Sequence, residues 1–186
     1  MNKSHAADWA PDSPTPAQLK EFFAQIGSGR ITKDRLQRFL RERDWFLFTT
    51  SALTLNELMA ESRHPHESDP RWKDEPFANK TGKVQKLLLR TSAVPNSFYR
   101  TWEEQQELLA EGECVLTTRS LVEGILTYYQ KTGEKLFSDC LVRTQDVYSN
   151  GSRAIVEFSG ERVSIIEDFE NSRGPGLGLA VARKHI

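Results

Sequence analysis

The chain has 186 residues, of which 38% are hydrophobic and 27% are charged, and this is ordinary globular composition, enough for one good core or two small ones. Its 25 Lys and Arg residues against 26 Asp and Glu residues leave a net charge of −1, so no overall field favours nucleic acid or an anionic membrane. The apolar runs are too short to span a bilayer and the N-terminus has no apolar signal-peptide core, so we expect a cytoplasmic protein without a membrane partner. Because the chain has only two cysteines, we expect reduced thiols and no disulfide framework.

The N-terminal part of the chain predicts a short tail followed by a helical region. Residues 1–15 are polar and lack periodicity, so we expect a disordered tail. Residues 16–61 form the N-terminal helical region. A first helix begins at Pro16 behind a Thr15 cap, and a second follows Thr32. Their apolar positions recur at helical spacing and predict a hairpin that must dock on another element: Leu19, Phe22, Phe23, Ile26, Leu36, Phe39 and Leu40.

Residues 62–83 interrupt this pattern. The segment is polar, carries many charges and contains Pro65, Pro70, Pro76 and Gly82. Such composition is typical of a long surface loop or a linker. Both a domain boundary and an excursion from a single domain stay open at this point.

Residues 84–186 predict an α+β domain. A strand over 84–91, a helix from Thr101 and a helix from Arg119 to Gly133 come first. The apolar period then changes to two, which predicts four strands over 140–147, 153–159, 162–169 and 177–183. The expected fold class is therefore α+β: an N-terminal helical hairpin and amphipathic helices packed on a mainly antiparallel sheet that ends in a four-stranded meander.

No motif in the sequence predicts catalysis, a metal site or a cofactor. The glycine-rich stretch from Gly174 to Lys184 is similar to the glycine box of histidine-kinase ATP-binding domains, but the magnesium and adenine motifs that such a site needs are missing upstream. His64 and His66 lie near two acidic residues in a hydrophilic segment, where solvated histidines are the expected state. We expect no catalytic residue, no metal ligand and no cofactor, and a binding module in preference to an enzyme.

The last quarter of the chain carries a family resemblance. The residues concerned are Val142-Arg143-Thr144, Ser152 to Phe158, Val163-Ser164, and Asn171 to Gly178 running into Ala182-Arg183. Together they resemble the tail of C-type-lectin-like domains of the kind found in formylglycine-generating-enzyme relatives and in the variable proteins of diversity-generating retroelements. The resemblance implies a closing strand, an irregular segment that presents side chains to a ligand, and a binding function.

The candidate recognition residues lie at the end of the third predicted meander strand and in the loop after it. Charge, amide and one aromatic ring are mixed there, and loops held by a rigid sheet are where recognition residues tend to lie. We predict a non-catalytic module that binds a partner protein or a small ligand through this segment: Glu167, Asp168, Phe169, Asn171 and Arg173.

The alternative partner is nucleic acid. The second helix and its approach are basic over residues 33–43, and a second basic stretch begins at Lys80. A helix pair with a basic outer face is a common way to contact phosphates. The residues predicted for this role are Arg35, Arg38, Arg41, Lys83 and Lys86.

Overall fold

The computed structural model describes residues 14–62, 70–160 and 162–184, which form helices and two four-stranded sheets. The α-helices of this part are α1 Pro16–Gly27, α2 Lys33–Arg41, α3 Leu55–Glu61, α4 Pro76–Asn79, α5 Trp102–Gln106 and α6 Thr118–Thr132, with a 3-10 helix at Pro70–Asp74. The strands are β1 Trp45–Thr49, β2 Lys86–Arg90, β3 Glu113–Val115, β4 Leu141–Val147, β5 Arg153–Ser159, β6 Arg162–Asp168, β7 Leu177–Leu179 and β8 Val181–Lys184. The predicted α+β class with an N-terminal helical hairpin is confirmed.

Threonine caps set the beginnings of the main helices. Thr15 and Thr101 accept a hydrogen bond from the backbone N–H three residues on, and the side chain at that position bonds back to the cap. These capping boxes satisfy backbone donors that a helix leaves unpaired at its first turn. Helix α6 begins behind Thr117 and ends at Gly133, whose φ of 73° is the left-handed conformation that favours glycine.

The C-terminal segment links the two sheets. One sheet has the order β1-β2-β8-β3, and the other has the order β6-β5-β4-β7. Strands β4, β5 and β6 form an antiparallel meander, and β7 completes that sheet by pairing in parallel with β4. The chain then crosses at Ala180 into β8, which lies between β2 and β3. The stretch predicted as one last strand therefore contributes a strand to each sheet.

Helix α6 lies between the sheets and forms the centre of the main core. Its Leu121 and Ile125 belong to the same hydrophobic cluster as Phe48 of β1 and Val156 of β5, and all four are almost fully buried. The opposite face of the first sheet is covered by the α1–α2 hairpin, through a second core that includes Leu36 and other residues of both helices. The aromatic face of the hairpin therefore docks on the first sheet.

The segment between α3 and β2 contributes to the core. Trp72 and Phe77 are only 3% and 9% exposed and belong to the main core. His64 and His66, the candidate metal ligands of the sequence, lie outside the described residues, as does most of the predicted tail. None of the helices in the described ranges is long and apolar enough to span a bilayer.

Candidate functional site

The predicted recognition residues lie at the surface, where β6 ends and the chain turns towards β7. Phe169 is 77% exposed at this turn. Asn171 and Arg173 are exposed as well, and Glu167 and Asp168 are half-buried. The corner is therefore open to solvent, and contacts within the molecule determine which of its side chains are available to a partner.

Asp168 is held from beneath by Arg143, a fully buried residue of β4. The guanidinium donates to the Asp168 carboxylate at 3.2 Å and to the Ser172 carbonyl at 2.7 Å. It also donates to the Arg100 carbonyl at 2.9 Å and to the Gln105 side-chain oxygen at 3.1 Å. Burial lowers the pKa of Arg143, and the Asp168 carboxylate opposes that shift. Asp168 is thus a structural anchor of the corner.

A second buried arginine holds the next part of the loop. Arg153 of β5 lies 3.6 Å above the Trp102 ring and pairs with the Glu170 carboxylate. The backbone N–H of Trp102 donates to the Glu170 carbonyl at 3.0 Å. Stacking on an aromatic ring suits the planar guanidinium and helps to offset its loss of hydration. The backbone and the side chain of Glu170 are therefore both fixed.

Arg173 joins the loop to helix α5. Its guanidinium pairs with Glu104 at 2.8 Å, and both side chains are partly exposed. The hydrogen bond of the Glu104 carboxylate with the backbone of Thr101 lowers its pKa, and Arg173 contributes in the same direction. Exposed pairs of this kind are weak, so Arg173 can exchange Glu104 for another carboxylate at little cost.

Glu167 faces the β4–β5 turn, and its carboxylate binds other side chains of the same molecule. The Ser152 hydroxyl and the Asn150 amide each donate to its carboxylate at 2.7 Å, and Arg71 pairs with it at 2.8 Å. The hydrogen bond from Ser152, followed by that from Asn150, lowers the pKa of Glu167. Of the five predicted residues, Phe169, Asn171 and Arg173 are the ones left facing solvent.

Tyr99 lies in a segment that contacts the same loop, although no pattern in the sequence indicated it. Its backbone N–H donates to the Gly174 carbonyl at 3.1 Å, so its segment lies beside the loop. Its side chain is 63% exposed, and its φ of 58° is uncommon for a bulky residue. Phe169 and Tyr99 are two of the four large hydrophobic residues exposed in the described chain. We call Tyr99, Phe169, Asn171 and Arg173 the aromatic corner.

The basic residues of the alternative prediction are all exposed. Arg35 and Arg38 line a groove that also contains the carboxylates Asp34 and Glu42. Lys86 lines a separate cavity that α2 borders from its other side. The structure thus places Arg35 and Arg38 beside acidic groups on one side of α2 and Lys86 on the other side.

Within the described ranges, no three His, Cys, Asp or Glu side chains are grouped so that they could hold a metal ion. Burial raises the pKa of both thiols, that of Cys140 to about 11, so neither is an activated nucleophile. No family model matches the chain, and no curated protein and no solved structure matches it either.

Proposed function

We propose that this chain is a non-catalytic binding module and that its aromatic corner contacts a partner protein. The observation that carries the proposal is that the Phe169 side chain is 77% exposed, while buried arginines hold the residues on both sides of it in place. An exposed ring costs solvation free energy in the free protein. That cost is recovered when a partner covers the ring.

The fixed backbone around Phe169 favours tight recognition. Arg143 and Arg153 hold the residues before and after the ring, so little conformational entropy is lost when a partner binds. An aromatic anchor with a polar rim is typical of protein interfaces, and Asn171 and Arg173 supply that rim. Because Phe169 projects from the surface, its complement is a pocket on a macromolecule.

The resemblance to C-type-lectin-like domains implies the same kind of role. It covers β4 to β8 and implies an irregular segment before the last strand that presents side chains to a ligand. The segment 169–176 has that place in the chain order. The resemblance supports a binding module but does not specify the partner.

The test compares two variants of the full chain as baits. Phe169→Ala/Arg173→Ala removes the anchor and one rim charge, whereas Val84→Ala removes a 68% exposed apolar side chain outside the aromatic corner. We expect partners captured by the wild type to be retained by Val84→Ala and lost by the double variant, with circular dichroism unchanged in both. An unchanged set of partners on the folded double variant would contradict the proposal.

Nucleic-acid binding through α2 is the second candidate. It is favoured by five exposed basic side chains that form no ion pair with any described residue: Arg35, Arg38, Arg41, Lys83 and Lys86. Phosphate contacts release counterions, so the affinity for mixed DNA or RNA would fall steeply between two salt concentrations. Binding that is absent at low salt, or that Arg35→Gln/Arg38→Gln leaves unchanged, would exclude this candidate.

A further inference from the structure

A cavity of about 290 Å³ opens at the free edge of β1, between that strand and the α1–α2 hairpin. Phe23 and Ile26 of α1 and Leu47 of β1 give it an apolar wall. Three lysines from three different elements also line it: Lys33 of α2, Lys86 of β2 and Lys131 of α6. We call this cavity the lysine groove.

The positive charge of the lysine groove is not compensated by the described residues. No Asp or Glu lines the cavity, and none of its three lysines forms an ion pair with a described carboxylate. The Lys86 Nζ lies 5.7 Å from the centre of the Phe23 ring, and the Lys131 Nζ lies 5.3 Å from that of Phe46. Three lysines without a carboxylate partner thus line a cavity that has an apolar wall, and their positive charge attracts an anion to it.

The hydrogen bonding of β1 indicates what kind of ligand fits. The Gln37 side chain donates to the Leu47 carbonyl at 2.9 Å, in the middle of the strand's free edge. An added peptide strand that paired along β1 would have to break this bond. A small molecule in the cavity leaves it intact, and the volume lies near the lower end of the range for small-ligand pockets, roughly 300 to 1,000 Å³.

We propose that the lysine groove binds a small amphipathic carboxylate. The hydrocarbon or aryl part of the ligand packs against Phe23, Ile26 and Leu47, and its carboxylate lies among the three ammonium groups. The site is distinct from the aromatic corner, because it lies at the edge of the other sheet.

The test uses two fluorescent probes that share one ring system, anilinonaphthalene sulfonate and the uncharged phenylnaphthylamine. The charge variant is Lys33→Gln/Lys86→Gln/Lys131→Gln, and its matched control is Lys20→Gln/Lys80→Gln/Lys184→Gln, which makes the same change in net charge at exposed sites that do not line the cavity. We expect the charge variant to bind the sulfonate about tenfold more weakly and the control variant to stay within about twofold of wild type. Affinity for the uncharged probe should be unchanged in both variants, and octanoate should displace the sulfonate at lower concentration than octanol.

A third variant tests the position of the probe. Ile26→Trp fills the cavity, so it should weaken both probes about tenfold. Equal losses of sulfonate affinity in the two lysine variants would indicate only the long-range field and would overturn the proposal. So would unchanged sulfonate affinity in the charge variant, or unchanged binding of both probes in Ile26→Trp.

Discussion

Replacing Arg143 with leucine should destabilise the whole domain. The guanidinium is fully buried in β4 and donates four hydrogen bonds, two of them to the loop that carries Phe169. Leucine fills part of the same space and provides no donor. The Asp168 carboxylate, the Gln105 oxygen and two backbone carbonyls then lose this partner, and buried acceptors without a donor are costly.

The size of the effect follows from the burial of the pair. Removing one partner of a buried ion pair typically costs about 3–5 kcal/mol. The Asp168 side chain keeps 20% of its exposure and can regain some hydration, so the lower end applies, about 3 kcal/mol. In a chain of this size the midpoint of thermal unfolding should fall by roughly 6–12 °C. Urea unfolding followed by circular dichroism near neutral pH measures the free energy directly.

Arg162→Leu provides the matched control. Arg162 is an exposed arginine of β6 and has no ion pair with a described residue, so its replacement should change the free energy of unfolding by no more than about 0.5 kcal/mol. A loss of less than about 1 kcal/mol in Arg143→Leu, with an unchanged denaturant slope, would refute the inference that the Arg143 guanidinium holds the corner in place.

Three further predictions concern other parts of the molecule. A Cβ added at Gly124 would lie 2.8 Å from the Leu89 side chain, so Gly124→Ala should cost about 1 kcal/mol in urea unfolding despite the better helix propensity of alanine, and a stabilised variant would contradict this. The hydrogen bond from Ser152 lowers the pKa of Glu167 below 4.5, so the Glu167 carboxylate stabilises the fold above that pH. The difference in the free energy of unfolding between wild type and Glu167→Gln should therefore shrink as the pH falls through the lowered pKa. A difference that stays constant with pH would contradict this. Burial raises the pKa of Cys140 to about 11, so iodoacetamide should modify the native thiol far more slowly than the unfolded one at mildly alkaline pH, as mass spectrometry can measure.

Local signals predicted most of the fold. Capping threonines and apolar spacing act within a few residues, and the elements that they predict are present. The division of the last strand at Ala180 was not predicted, because it depends on pairing with β2, β3 and β4, which are distant in sequence. The burial of Trp72 was also missed, since the polar residues around it dominate the composition of its segment.

The candidate site was predicted only in part for a related reason. The sequence placed a mixed polar and aromatic segment at a strand end, and that segment is at the surface. Tyr99 was missed because it joins the corner through a hydrogen bond to Gly174, which lies far away in sequence. The roles of Arg143 and Arg153 were also hidden, because a charged residue in a strand gives no sign of which loop it will reach.

The two buried arginines explain why neighbouring residues in the loop have different roles. Side chains in a strand alternate between its two faces, and the contacts continue this alternation past the end of β6. Asp168 and Glu170 pair with Arg143 and Arg153, whereas Phe169 between them is exposed. The same acidic residues that make the segment look like a recognition loop therefore fix its backbone. The ring gains its exposure from that fixation, because its neighbours on both sides are bound to the sheet beneath.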